Sequence, residues 1–452
     1  MKRALIFRWL AFALPSLLPL TALPQQSTLT LRQAIDQALG QNPQITLADA
    51  DMDAARAGLS LAHSAWLPQL HAVEDISRGD DPVYVFGSRL RQQRFTQSNF
   101  SLNSLNRPTP LGNYASRLTG QWMLFNGFST QRQTRAAKLG VSSATYAKDA
   151  ASQAVMFQVV QAYQAVLYAQ RQAAVAQHQQ KTADALLQDA QTRVHAGLAV
   201  DSDLLAAQVN DSARKQEAIN AEGNLQTAWA ELAAAMGALH ATQPSLEPLK
   251  ARSYPAEDLA ADIAAALKTR PDLKALARQN AAAQQAVKAA RGDFFPTLSA
   301  YGNLETDRPS FAGAGGNNWV AGAQLSLDIL PLGKRAHLAQ ARAAQEKAAA
   351  EQRAQELAIR LAVSRAYAAQ QSAQQSLATS QAAMRQATES LRILRNRYNA
   401  GLATMTDLLR GEDALRQSET NYWQAVYGNT VAYASLLYAT GRLTPDSAET
   451  LQ

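Results

Sequence analysis

Six histidines, His63, His71, His178, His195, His240 and His337, are the side chains best suited to metal or acid–base chemistry, and they are scattered. No pair stands four residues apart around a glutamate, so the spacing of a helical zinc site is absent. The chain has no cysteine, which removes disulfides, thiolate metal sites and a lipid-bearing N-terminal cysteine together. Glycines cluster at 313–316, but between two strand-like segments, which reads as a hairpin loop rather than a phosphate cradle. No nucleotide-binding lysine motif occurs. These residues point away from catalysis, imply no cofactor and no metal, and leave the chain without an energy source of its own.

What recurs is a turn. Arg193, Ala196-Gly197-Leu198-Ala199 and Asp203-Leu204-Leu205 return as Arg397, Ala400-Gly401-Leu402-Ala403 and Asp407-Leu408-Leu409. Gly197 and Gly401 suit a helix end that needs a left-handed residue. Ser202 or Thr406, each followed by an aspartate, suits the start of the next helix. Asp407 and Arg410 stand three apart, where a helix lets them pair.

The turns belong to an internal duplication. Residues 29–70 align without gaps on 257–298, and 192–237 on 396–441; Gly237 recurs as Gly441. The offsets are 228 and 204, so the first half carries 24 extra residues, placed within 71–117. We divide the chain into a leader (1–26), a first repeat (27–240), a linker (241–257), a second repeat (258–442) and a C-terminal tail (443–452).

Each repeat predicts the same elements. A helix (30–63, 258–291) ends at an aromatic-Pro or Leu-Pro step. Two strands follow, near 66–78 and 114–125 in one repeat and near 296–306 and 318–329 in the other. In 318–329, Trp319, Ala321, Ala323, Leu325, Leu327 and Ile329 alternate with Asn318, Gln324, Ser326 and Asp328, joined by Val320 and Gly322, the period of a strand with one apolar face. Strands of about 9–11 residues suit a membrane barrel, but four cannot close one, because a pore needs about eight or more. As a membrane barrel the strands would need several copies to share them; the alternative is a soluble sheet packed on helices.

Then come proline-free stretches, 129–195 and 333–399, each 67 residues and about 100 Å as α-helix. Leu377, Met384, Leu391 and Tyr398 fall seven apart, with Ala387 and Leu394 between, a coiled-coil pattern. Much of the seam is alanine, which buries little area per residue, so such helices need many neighbours.

The N-terminus predicts a secretory leader: Lys2, Arg3 and Arg8, then an apolar run from Trp9 to Leu20, with cleavage between residues 22 and 27; the rival is an uncleaved inner-membrane anchor, for which the run is short. No later run is long and apolar enough for a membrane helix. The formal charge is +7, of which three positives lie in the leader, and no basic stripe with interleaved aromatics supports nucleic-acid binding.

The duplicated plan and the two Gly-Leu-x-x-x-x-Asp-Leu-Leu turns resemble the TolC family of outer-membrane efflux proteins over essentially the whole chain after the leader. The resemblance implies a mainly α fold with a small β part. In it, duplicated long antiparallel coiled-coil helices form an α-barrel, and four strands per protomer enter a trimeric 12-stranded outer-membrane β-barrel. It implies an exit duct in the outer membrane of a Gram-negative cell, with a long periplasmic portion, serving tripartite efflux or type I secretion. The implied partners are two further copies of the chain, outer-membrane lipid, a periplasmic adaptor (membrane fusion protein) and an inner-membrane pump of RND, ABC or MFS type. Loops 79–113 and 307–317 would face the exterior. Gly197, Leu198, Gly401 and Leu402 would form the periplasmic tip that meets the adaptor. Tyr398, where the family's gate often carries a tyrosine, would bond Asp203 of a neighbouring helix pair and hold the tip closed. Asp407 would form an acidic ring at the entrance. Some well-known members have a second aspartate one turn later, where this chain has Arg410, which weakens cation binding there. The rival readings are a soluble periplasmic coiled-coil scaffold or adaptor, and a secreted helical enzyme or binding protein.

Overall fold

A computed structural model describes residues 28–238, 243–255 and 258–452. The leader, His240 and parts of the linker (241, 242, 256 and 257) lie outside the described residues. Helix α1 (Leu31–Gln41) begins at Thr30, whose side chain caps Gln33, which caps Thr30 in return. Helix α2 (Pro43–Ser64) follows after a sharp break at Asn42, so one helix over 30–63 was the wrong expectation. Proline at 43 has no N–H to donate and pushes residue 42 out of the helical region; Asn42 sits extended at ψ 128° and caps Gln44 at 2.8 Å.

Strand β1 (Gln69–Gly79) leads into the first long connection. This segment holds helix α3 (Pro82–Arg91), a short 3-10 turn at Gln97–Phe100 and helix α4 (Leu102–Asn106), not the plain loop expected over 79–113. Strand β2 (Leu111–Asn126) is longer than expected, with a bulge between Met123 and Phe125. Helix α5 (Ser129–His195) runs unbroken for 67 residues, as the missing prolines predict, and α6 (Asp201–Met236) returns along it.

The second half repeats the order. Helices α7 (Leu259–Thr269) and α8 (Pro271–Gly292) are broken at Pro271 as α1 and α2 are at Pro43. Strands β3 (Thr297–Arg308) and β4 (Gly316–Ser326) follow, the latter ending three residues before the expected Ile329. Helix α9 (Leu332–Asn399) and α10 (Met405–Ala439) form the second hairpin, and α11 (Ser447–Leu451) closes the described chain.

The repeat is visible atom by atom at the two breaks. Asn42 Nδ2 donates to the Ala235 carbonyl at 2.8 Å, and Arg270 Nη1 to the Ala439 carbonyl at 3.1 Å. Residues 42 and 270, like 235 and 439, are counterparts in the duplication. Beside them Gly237 and Gly441 end their helices in the left-handed region, at φ +74° and +69°.

The four strands form one antiparallel sheet in the order β1-β2-β3-β4, leaving β1 and β4 as open edges. The main core is a belt partway along α5, where Val155, Val159, Val160, Tyr163 and Val166 meet α1, α6, α10 and the C-terminal segment. The segment expected as a linker is packed into this belt through Leu246, Leu249 and Tyr254. Tyr163 donates to the Leu29 carbonyl at 2.9 Å, and burial pushes its hydroxyl up to about 12. No helix among the described residues is long and apolar enough to cross a membrane.

Candidate functional site

Two regions combine exposure with built geometry: the helical turns far from the sheet, and the sheet itself. Both turns are Schellman motifs. The Gly197 N–H donates to Val194 at 3.0 Å and Leu198 to Arg193 at 2.8 Å; Gly401 donates to Tyr398 at 2.9 Å and Leu402 to Arg397 at 2.8 Å. Gly197 (φ +69°) and Gly401 (φ +74°) have open space where a Cβ would go, so only the backbone angle demands glycine there. Leu198 and Leu402 project into solvent at 77% and 68% exposure. Of the eight predicted site residues, these four stand together at one end of the molecule as a pair of bare apolar knuckles.

The helix starts differ from the expected caps. Thr404, not Thr406, caps α10: its hydroxyl accepts from the Asp407 N–H at 3.1 Å, and Asp407 Oδ2 accepts from the Thr404 N–H at 3.1 Å and hydroxyl at 2.8 Å. The counterpart of Thr404 is Val200, which has no side-chain acceptor, so α6 starts without a cap and Ser202 lies inside it. Asp201 and Asp203 in its first turn still face the helix N-terminus favourably. Asp407 is held below the usual carboxylate range first by the Thr404 hydroxyl, then by the Thr404 N–H, with Arg410 and Arg397 adding positive charge. The expected Asp407–Arg410 ion pair is not formed, because the carboxylate is already turned toward Thr404; Arg410 acts on it through its field alone.

Tyr398 is nearly buried in the cluster of Ala190, Ala207, Leu391, Met405 and Leu408. The Arg193 guanidinium lies 4.8 Å over its ring and is itself tied to Asp189 at 2.7 Å. Burial pushes the Tyr398 hydroxyl up, Arg193 opposes this, and Asp189 and Asp203 add to it. Within the protomer Tyr398 packs and makes no hydrogen bond to Asp203. Sequence reasoning noted Arg193 only as a repeated letter and missed its cation–π contact; the signal was its place four residues before each turn glycine. Below the turn, Arg395 ties α9 to α10 through the buried Glu412 at 2.5 Å.

The sheet has two unlike faces. On one lie the cross-strand rows Ala72–Leu118–Leu304–Trp319, Leu70–Gly120–Gly302–Ala321 and Trp122–Ala300–Ala323. Trp319 is 76% and Leu70 68% exposed, although both are large and apolar. The other face carries His71–Thr119–Asn303–Val320 and Val73–Arg117–Glu305–Asn318, with Arg117 and Glu305 paired at 3.1 Å. This is the division of a barrel strand between lipid and an aqueous lumen.

The outer membrane efflux protein family model matches residues 34–238 and 263–442. The chain belongs to this family, the TolC family. An outer-membrane efflux protein of Brucella suis biovar 1, BepC, is 25% identical over 433 residues, spanning 94% of this chain and 89% of that protein. Nodulation protein T of Rhizobium leguminosarum bv. trifolii is 23% identical over 423 residues, spanning 91% and 85%. The crystal structure of the Campylobacter jejuni CmeC outer membrane channel superimposes with a TM-score of 0.79 at 18% identity, covering 93% of this chain and 88% of that one. The family places the protein in the outer membrane as an exit duct for efflux. The family and the fold are those of channel proteins.

Proposed function

We propose that three copies of this chain close into one hollow cylinder, a 12-stranded barrel in lipid continued by a helical tunnel in the periplasm. One observation carries the reading: the protomer is a periodic wall with two unfinished edges. Helix α8 lies between α5 and α9 and buries Leu273, Val287, Ala289 and Ala290. Its counterpart α2 packs along α5, meets α1 only at the break, and buries only Ile45. Repeating the α5–α8 junction places α2 against α9 of the next copy, where Leu47, Leu61, Leu357 and Leu361 now stand exposed. The strand order continues in the same way, β4 of one copy pairing antiparallel with β1 of the next. Three copies supply twelve strands, enough to enclose a channel.

The repeats 27–240 and 258–442, joined by 241–257, act in this scheme as alternating staves. The knuckles Leu198 and Leu402, with Gly197 and Gly401 holding their turns, form the surface offered to a periplasmic adaptor. An inner-membrane pump supplies the energy, and the duct opens passively. Tyr398 with Asp203 from a neighbouring pair, and the Asp407 ring tempered by Arg410, form the closed entrance. The test is current through single molecules in planar bilayers. Discrete conductance that rises in the combined Tyr398→Phe and Asp203→Ala variant supports duct and lock together. Unchanged leakage in that variant removes the lock, and no conductance at all removes the duct.

A further inference from the structure

The first-repeat connection between β1 and β2 does not stand away from the sheet. Helix α3 folds back over the polar face and touches β2, β3 and β4. Tyr84 meets the Ser77 hydroxyl at 3.0 Å; Gln92 Nε2 donates to Asn113 Oδ1 and to the Gly112 carbonyl, each at 2.9 Å. Arg91 Nη1 reaches Glu305 at 3.7 Å, and Asn318 Nδ2 donates to the Arg91 carbonyl at 3.2 Å. Beneath the helix Asn113 donates to Asp307 at 2.7 Å. Val85, Ser88, Gln92, Asn113, Ala115 and Asp307 are all buried, on a sheet whose other residues, Gly316 apart, are exposed or half-buried in the protomer.

Two backbone features show that the seat is built for this helix. The turn after α3 is a Schellman motif with Gln93 in the left-handed position, φ 54°, where glycine is usual. Such strain persists only where surrounding contacts fix it, and Gln92, wedged among Asn113 and Gly112, supplies them. A Cβ on Gly316 of β4 would fall on the Arg91 carbonyl oxygen, so this strand makes room for the helix end.

The polar face lines the lumen in a closed barrel. We propose that α3 and the turn at Gln93 are an inward collar, three copies of which narrow the outer mouth and restrict passage to compact solutes. The collar lies at the hairpin ends of the strands, the far end of the channel from Tyr398, so it is independent of the periplasmic gate. It rests on the trimeric-barrel reading above, which it deepens by naming the cargo class. The second repeat has no equivalent, since the β3–β4 connection is only the short hairpin 309–315.

The absence of cysteine makes the test direct. His71→Cys places a thiol on the polar face inside the collar, and Ser310→Cys places one on the exposed hairpin. Intact cells are treated with a small methanethiosulfonate or with a maleimide on a polymer chain. The collar predicts that His71→Cys reacts with the small reagent only, while Ser310→Cys reacts with both. Replacing residues 81–108 by an Asn-Gly turn should bring polymer labelling at His71→Cys up to the Ser310→Cys level. If that chain fails to assemble, Gly316→Ala, which unseats Arg91, should give the same gain. Polymer labelling of His71→Cys with α3 intact would overturn the collar. No labelling by the small reagent would instead overturn the pore-lining face on which the collar rests.

Discussion

Glycines Gly401 and Gly237 both end a helix at φ +74°, yet they should respond differently to alanine. At Gly401 a Cβ meets open space, so Gly401→Ala costs only the left-handed penalty, about 1–2 kcal/mol. At Gly237 the same Cβ lies 2.8 Å from Asn42 Cα and 2.9 Å from the Gln41 carbonyl oxygen. The α1–α2 break must then retreat, and the Asn42 bond to Ala235 at 2.8 Å lengthens or breaks. Adding a lost hydrogen bond of about 1 kcal/mol and displaced packing brings Gly237→Ala to about 3–4 kcal/mol. Amide hydrogen exchange reads both. The Leu402 N–H, bonded to Arg397, should exchange about five- to thirtyfold faster in Gly401→Ala, a change that stays within the turn. In Gly237→Ala the loss should exceed about a hundredfold at the Ala238 N–H and spread to the first turn of α2. Equal and local effects at both sites would refute the claim that the second glycine is fixed by a neighbour rather than by its own backbone.

Installing a threonine at Val200 should recreate with Asp203 the cap that Thr404 makes with Asp407, stabilising the start of α6 by about 1 kcal/mol in the same exchange experiment; no slowing there would contradict the cap assignment. Leu304→Arg, on the apolar face of the sheet, should cost about 2–4 kcal/mol at mid-membrane and deplete assembled protein from outer-membrane fractions. Its neighbour Asn303→Arg, facing the lumen, should assemble normally, and equal losses would reverse the two faces. Burial pushes the Glu419 carboxyl up, against the opposing charge of His178 and a bond from Gln179. A carboxyl raised on folding destabilises the native state once pH exceeds the ordinary carboxylate range. Glu419→Gln should therefore raise thermal stability at neutral pH and lose that advantage as pH falls through about 4; an advantage independent of pH would show that charge is not the cause.

The long helices were legible because their signal is cumulative: no proline from 129 to 195, and a heptad through Leu377, Met384, Leu391 and Tyr398 whose members turn inward. The breaks at Pro43 and Pro271 were missed although both prolines were in plain sight. Proline fits the first turn of a helix, so it marks a start as readily as a stop; Asn42 caps the first restart, while Arg270 at the second has no side-chain cap. Helix α3 was hidden by its short length within a window of turn residues. Its Asp81-Pro82 start, with Val85, Ser88 and Gln92 on one face, is recognisable only once the sheet beneath it is known. The tip was readable as geometry, through its glycines, but not as chemistry. Asp407 had two candidate partners, and the nearer hydroxyl of Thr404 won over Arg410 because a capping bond needs no flexible arm. What no single protomer displays is the junction between copies, which had to be inferred from the junction inside one.

That inference has a sharp consequence. Ser143 of α5 donates to the Ala275 carbonyl of α8 at 2.9 Å. Under the repeat offsets, the matching positions are Lys347 of α9 and Leu47 of α2 in the next copy. A chain carrying Leu47→Cys and Lys347→Cys, oxidised in outer membranes, should form a ladder of one, two and three linked chains that stops at three. Chains that stay single, or a ladder that runs past three, would contradict the closed three-copy cylinder.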